Sequence, residues 1–183
     1  MSIQASCPVL GFAAYSGTGK TTLLTQLIPI LKDKGIRIGM IKHAHHKFDI
    51  DKPGKDSYEL RKAGAEQMLI ASQKRWALMV ETADQQTDPN LQMLINQLDQ
   101  DKLDLILVEG FKHVPFAKIE LHRPDTGKEL IFPNDDSIVA IATDQADVMQ
   151  TSLPILDINN PAMIADFVLE FIQQTGSSSS VTG

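Results

Sequence analysis

The stretch Ser16-Gly-Thr-Gly-Lys-Thr-Thr22 follows the apolar run Val9 to Ala14 and opens an amphipathic segment, Thr21 to Lys34. A strand, a glycine loop and a helix in that order are what a phosphate-binding loop needs. Glycines at 17 and 19 can take backbone angles that turn successive N–H groups inward around a phosphate chain, with the helix dipole behind them. Lys20 then reaches the β- and γ-phosphates, and the Thr21 hydroxyl completes the coordination of Mg²⁺. Ser16, Gly17, Thr18, Gly19, Lys20, Thr21 and Thr22 are therefore the expected nucleotide contacts. The full pattern G-x-x-x-x-G-K-[ST] is met except that Ala14 stands in the first glycine position. Alanine is the smallest replacement.

The rest of the chain alternates strand and helix patterns. Leu23, Leu24, Leu27, Ile28 and Leu31 recur at helical spacing up to a cap at Gly35, with Pro29 expected to kink that helix. Ile36 to His43 reads as a strand, and a helix capped by Asp56 or Ser57 runs to Lys62 before Gly64. Met68 to Ala71 and Trp76 to Val80 read as strands paired through the turn Ser72 to Arg75. Leu91 to Leu98 carries a helical stripe. Leu105 to Val108 is apolar on both faces, which marks a central parallel strand. Strands at Ala117 to Leu121, Ile138 to Ala142 and Ile155 to Leu156 follow, and Ala162 to Ile172 closes as a helix. The expected fold is α/β: a three-layer P-loop NTPase with a mostly parallel central sheet and an additional β-hairpin region, ligand lying outside the carboxyl ends of the strands. Residues 1–175 are expected to form one nucleotide-binding domain and 176–183, GSSSSVTG, a flexible tail.

Glu109 follows four apolar residues of that central strand, where a carboxylate can serve the metal side of a phosphate loop. It could bind Mg²⁺ through water or orient an attacking water, which with Lys20 makes the expected catalytic pair. Thr21 and Glu109 are the expected metal residues. Asp104 is a poor substitute, since five residues at about 3.3 Å each put it at the far end of the strand. Asp144 ends the run Ile-Val-Ala-Ile-Ala-Thr, where a carboxylate could accept from guanine N1–H and N2–H₂ and so reject adenine. It could equally cap a turn, because no N-K-x-D string accompanies it.

A second polar concentration runs from Lys42 to Ser57. His43, His45, His46, Asp49 and Asp51 could form a metal site, but there is no cysteine among them and adjacent histidines point apart in an extended chain. Lys42, Lys52 and Lys55 favour an anionic ligand for the same loop. A net charge of −6 argues against gripping nucleic acid. One cysteine, Cys7, excludes an internal disulfide. The N-terminus has no basic n-region followed by an apolar h-region, and no 18-residue apolar run occurs, so no membrane partner and a cytoplasmic location are expected.

Taken together, GFAAYSGTGKTTLL, IKHAHHKFDIDKPGKDSYELRKAGA, QKRWALMVET and LDLILVEGFKH resemble the molybdopterin-guanine dinucleotide biosynthesis protein B family, MobB, from about residue 9 to residue 172. Ala14 and Glu109 are family features under that resemblance. It implies a homodimeric GTP-binding accessory protein with slow hydrolysis, using GTP and Mg²⁺ beside the guanylyltransferase that joins GMP to molybdopterin. Molybdopterin or its guanine dinucleotide becomes a candidate bound ligand, and the Lys42 to Ser57 loop would face a second anion or the partner. Two other classes use the same loop. A small-molecule kinase normally closes an arginine-bearing lid, whereas Arg61, Arg75 and Arg123 are scattered here; a nucleotide-gated adaptor needs no relevant catalysis.

Overall fold

The structure, a computed structural model, describes residues 3–44, 48–82 and 89–178. Its contacts divide it into a larger unit, Met1–His43 with Asn90–Gly183, and a smaller one, Ala44–Pro89. The larger unit begins with strand β1 (Val9–Ala13), helix α1 (Lys20–Asp33) and strand β2 (Ile38–Lys42). The smaller unit contains helix α2 (Asp56–Lys62) and strands β3 (Gln67–Ala71) and β4 (Trp76–Val80). The chain then returns through α3 (Leu91–Ile95), β5 (Leu105–Glu109), β6 (Lys118–His122), β7 (Ile138–Thr143), β8 (Ile155–Asp157) and α4 (Pro161–Ser178). α1 passes through Pro29 without ending, and α4 runs to Ser178 instead of stopping near Ile172.

Six strands form one sheet in the order β2-β5-β1-β6-β7-β8, every pairing parallel. Side chains alternate across it. Leu105 and Leu107 of β5, with Leu10 and Phe12 of β1, face a core that takes in Leu23, Leu24, Leu27 and Leu31 of α1 and Ile164, Ala165 and Val168 of α4. Ile106 and Val108 face the opposite core with Leu91 and Ile95 of α3. A strand buried on both faces carries no polar alternation, which is why β5 reads as an unbroken apolar run.

β6 breaks this rule. Ile119 and Leu121 enter the α1 and α4 core, but Lys118, Glu120 and His122 point to the other face and are buried as well. That face is covered by crossover segments, residues 110–117 and 123–137. Phe116 from the first of them lies where a β-carbon on Gly11 would stand, 2.6 Å away, so glycine there is a packing requirement. The second brings the Ile131 and Phe132 N–H groups onto Glu120 at 2.7 and 2.8 Å. In the smaller unit β3 and β4 pair antiparallel, Leu69 opposite Leu78.

Candidate phosphate-binding site

β1 is where the strand order switches, with β5 on one side of it and β6 on the other. The crevice beyond the carboxyl end of such a strand is where open α/β sheets bind ligands. The loop Ala14–Gly19 occupies it. Gly17 and Gly19 have φ of 86° and 98°, and nothing lies within 4 Å of where a β-carbon would stand on either. These glycines are needed for backbone angle, and the hollow they leave is open. Thr18 is buried, its hydroxyl donating to the Tyr15 carbonyl at 2.9 Å, which closes the turn. Gly19 is the N-cap of α1, and no acidic residue in the first turn offsets the positive end of that helix. Ser16, Thr21 and Thr22 are exposed beside it.

Lys20 folds back so that its Nζ donates to the Ala14 carbonyl at 3.3 Å. Its pKa is lowered, chiefly by burial; Lys42 and Lys112 push the same way, and Glu109 opposes them. Three ammonium groups thus share the neighbourhood with one carboxylate. In a chain of net charge −6 this is a local concentration of positive charge.

Glu109 ends β5 in register with Phe12 of β1 and Lys42 of β2. Both its carboxylate oxygens accept from Lys42 Nζ at 2.9 Å, and its side chain is 12% exposed. The chain then turns sharply. Gly110 has φ of 96° with its missing β-carbon 2.6 Å from His43 Cβ, and Phe111, φ 54°, is the one non-glycine with positive φ among the described residues. The Phe111 and His43 rings stack with centroids 4.9 Å apart, and the His43 N–H donates to the Glu109 carbonyl at 2.8 Å. Such a strained position is held only by surroundings that over-determine it. Thr21 and Glu109 carry oxygen donors of the kind a hard cation such as Mg²⁺ takes, and those of Glu109 are engaged by Lys42.

Asp144, just past the end of β7, is paired with Arg123 Nη1. The same guanidinium donates to the Thr18 carbonyl at 3.3 Å and to Asn159 Oδ1 at 2.9 Å. Arg123 therefore joins the phosphate loop to the ends of β7 and β8. In the sequence Arg123 is one of several scattered arginines. His122 beside it is held below the usual imidazole range by burial, with Asp144 opposing.

The polar loop divides differently. His45 and His46 lie outside the described residues. Lys42 belongs to the Glu109 pair. Within the smaller unit, Asp49 and Asp51 are bound by Arg61, which also takes Glu81 at 2.6 Å. Among the described residues no group of three His, Cys, Asp or Glu side chains is gathered as a metal site. Asp104, at the other end of β5, holds Arg37 through both oxygens and the backbone, and this holds its carboxyl at about 2.

A parallel sheet whose strand order switches at β1, with a glycine loop leading into α1 and a separate antiparallel hairpin, defines a P-loop NTPase fold. Residues 9–144 match the family model described as molybdopterin guanine dinucleotide synthesis protein B, and the chain belongs to that family. It is 53% identical over 177 residues to the molybdopterin-guanine dinucleotide biosynthesis adapter protein of Escherichia coli (strain K12), covering 95% of this chain and 98% of that one. The protein of that name in Haemophilus influenzae is 44% identical, over 88% of this chain and 87% of its own. Among solved structures, a crystal structure of molybdopterin-guanine biosynthesis protein B superposes with a TM-score of 0.70 at 23% identity, covering 90% and 99% of the two chains. Bacillus subtilis MobB gives 0.69 at 24%, over 89% and 96%. These structures share the fold.

Proposed function

We propose that this protein binds GTP with Mg²⁺ on residues 14–22 and acts as an adapter in the assembly of molybdopterin guanine dinucleotide, beside the guanylyltransferase that joins GMP to molybdopterin. The observation that carries the reading is the open hollow over Gly17 and Gly19 at the uncompensated N-terminus of α1, with Lys20 next in the chain and Lys42 and Lys112 near enough to Lys20 to act on its charge. The relatives named as adapter proteins of this pathway supply its context.

Lys20 is the group that reaches the β- and γ-phosphates, and Thr21 with Glu109 holds Mg²⁺. Mg²⁺ held there would supply charge neutralisation to the phosphates. Glu109 is engaged by Lys42 beforehand, so its carboxylate becomes free only as Lys42 turns away, which accords with slow hydrolysis. Asp144 accepts from the guanine edge in competition with Arg123. The adapter reading is favoured over a kinase because Arg123 is tied to Thr18, Asp144 and Asn159 rather than carried on a lid.

Homodimer formation in the cytoplasm completes the reading. On the hairpin, Leu69, Ala71, Trp76, Leu78 and Val80 fall on one face by cross-strand register, and Trp76 is 67% and Leu69 60% exposed. An apolar sheet face of that kind suits burial against a second copy.

Titration calorimetry with GTP in Mg²⁺ tests the site. Lys20→Ala should weaken binding by about 2 kcal/mol or more, the scale of a lost charge-assisted contact, with the fold intact by circular dichroism. Unchanged affinity would remove the assignment.

A further inference from the structure

A cation already sits on the carboxylate that ends β5. Lys42 and Glu109 are ladder partners in the parallel pair of β2 and β5, and Lys42 Nζ donates to both Glu109 oxygens at 2.9 Å. An ammonium shared between the two oxygens of a carboxylate lies on the side from which a metal ion would approach them. The backbone around the pair is fixed. The His43 N–H donates to the Glu109 carbonyl at 2.8 Å, and a β-carbon on Gly110 would stand 2.6 Å from His43 Cβ, so the strand ends are locked in register and only a side chain can move. Lys42 is the one able to do so: its side chain is 54% exposed and that of Glu109 12%. A compact ammonium on a flexible stem can swing to water, whereas the enclosed carboxylate stays. At the opposite end of the same two strands Arg37 pairs with Asp104, which also accepts from the Arg37 N–H and staples the strands there. Glu109 differs in lying near the phosphate loop, where its charge acts on Lys20 and opposes the effect of burial on that lysine.

We propose that Lys42 is an internal competitor of the metal: its ammonium holds the cation position on Glu109, and a divalent ion gains that carboxylate only by displacing it. The inference concerns regulation of the nucleotide site proposed above and rests on that reading for assigning a metal to Glu109. A site so plugged keeps its charge balanced without a metal, so a divalent ion alone is a weak ligand of this chain. Phosphates supply what the ion alone does not, a second partner for the released ammonium, since Lys42 also lies near enough to Lys20 to act on its charge. Nucleotide and metal therefore favour each other's binding.

Mn²⁺, which takes the oxygen donors that Mg²⁺ takes, serves as the probe. The free ion is counted by electron paramagnetic resonance as the full chain is titrated without nucleotide, and GTP binding in Mg²⁺ is followed separately by calorimetry. Lys42→Met should bind Mn²⁺ about tenfold more tightly than wild type, the scale of releasing a carboxylate from a partly buried ion pair. Lys42→Arg, which keeps a cation on both oxygens, should match wild type. Loss of any nearby positive charge also favours a cation, so the decisive comparison is made in Glu109→Gln. There Lys42→Met should change Mn²⁺ affinity by less than about twofold, because the competition acts through the carboxylate. A gain of the same size in both backgrounds overturns the proposal in favour of a diffuse charge effect, and unchanged Mn²⁺ binding in Lys42→Met reduces the pair to a strand staple. Tightening by Lys42→Arg overturns it as well. Each of these results leaves the nucleotide site standing if GTP still binds; absence of GTP binding by the wild type, with the Mn²⁺ results as expected, removes the nucleotide reading and keeps the competition.

Discussion

Replacing Lys118 by methionine should destabilise the protein by about 2–3 kcal/mol, a magnitude set by what the ammonium holds. Its side chain is 1% exposed, and it donates to Asp135 and to the Val114 carbonyl at 2.9 and 2.7 Å. Removing one partner of a buried ion pair costs about 3–5 kcal/mol when the other charge is stranded. Asp135 is not fully stranded, because its carboxylate is 18% exposed and keeps hydrogen bonds from Ser137. The Val114 carbonyl loses its donor, at roughly 1–3 kcal/mol, while methionine retains the packing on Phe116 and escapes the cost of burying a charge. In a chain of this size the melting temperature should fall by about 5–10 °C.

The pH dependence sharpens the test. Burial alone would raise the Asp135 pKa, but hydrogen bonds from Ser137 and Lys118 hold it below the usual range. A carboxyl depressed on folding stabilises above its unfolded pKa, near 3.9, and that contribution is lost as pH falls through the folded value. The gap between wild type and Lys118→Met should therefore be full at pH 7 and narrow below about pH 4. Asp135→Asn should also cost much less in the methionine background than in the wild type. A loss under about 0.5 kcal/mol in urea unfolding, or a gap indifferent to pH, would refute the reasoning.

Two further predictions concern the proposed nucleotide site. Asp144→Ala should narrow the preference for GTP over ATP in competition binding, with phosphate affinity retained; equal loss for both nucleotides would assign Asp144 to holding Arg123 alone. Glu109→Gln keeps the shape but not the charge, and phosphate release should fall by roughly tenfold while GTP affinity changes less. Normal turnover would move the catalytic carboxylate elsewhere.

Local patterning made most of the framework legible. The α1 stripe, the two-sided apolar run of β5 and the hairpin around Ser72 to Arg75 each obey a short-range rule, and each lies within a residue or so of where the sequence put it. Pro29 did not end its helix, because residues beyond it still bury Leu31 in the core. What escaped detection depends on register between distant segments. Lys42 reads as part of a polar loop until β2 lies beside β5 and sets it opposite Glu109, 67 residues away. Likewise the strand read at Ala117 to Leu121 carries Lys118 and Glu120 in alternation with apolar residues. Only the crossover segments above it reveal that the face they share is buried. Arg123 carries no local signal at all, since its partners arrive from three separate strand ends.

The strand order also governs how the molecule comes into being during synthesis. β1 pairs with β5 and β6, and β2 pairs with β5, so neither of the first two strands has a neighbour until Leu105–Glu109 has been made. Val9 waits for Ile106. Parallel pairing over such a separation is intrinsically slow, and in the interval the apolar edges of both strands and the inner stripe of α1 stay uncovered. The phosphate loop, written within the first two dozen residues, therefore gains its supporting crevice only after more than half the chain has left the ribosome. A fragment ending before β5 would carry the glycine motif without the strand that flanks β1.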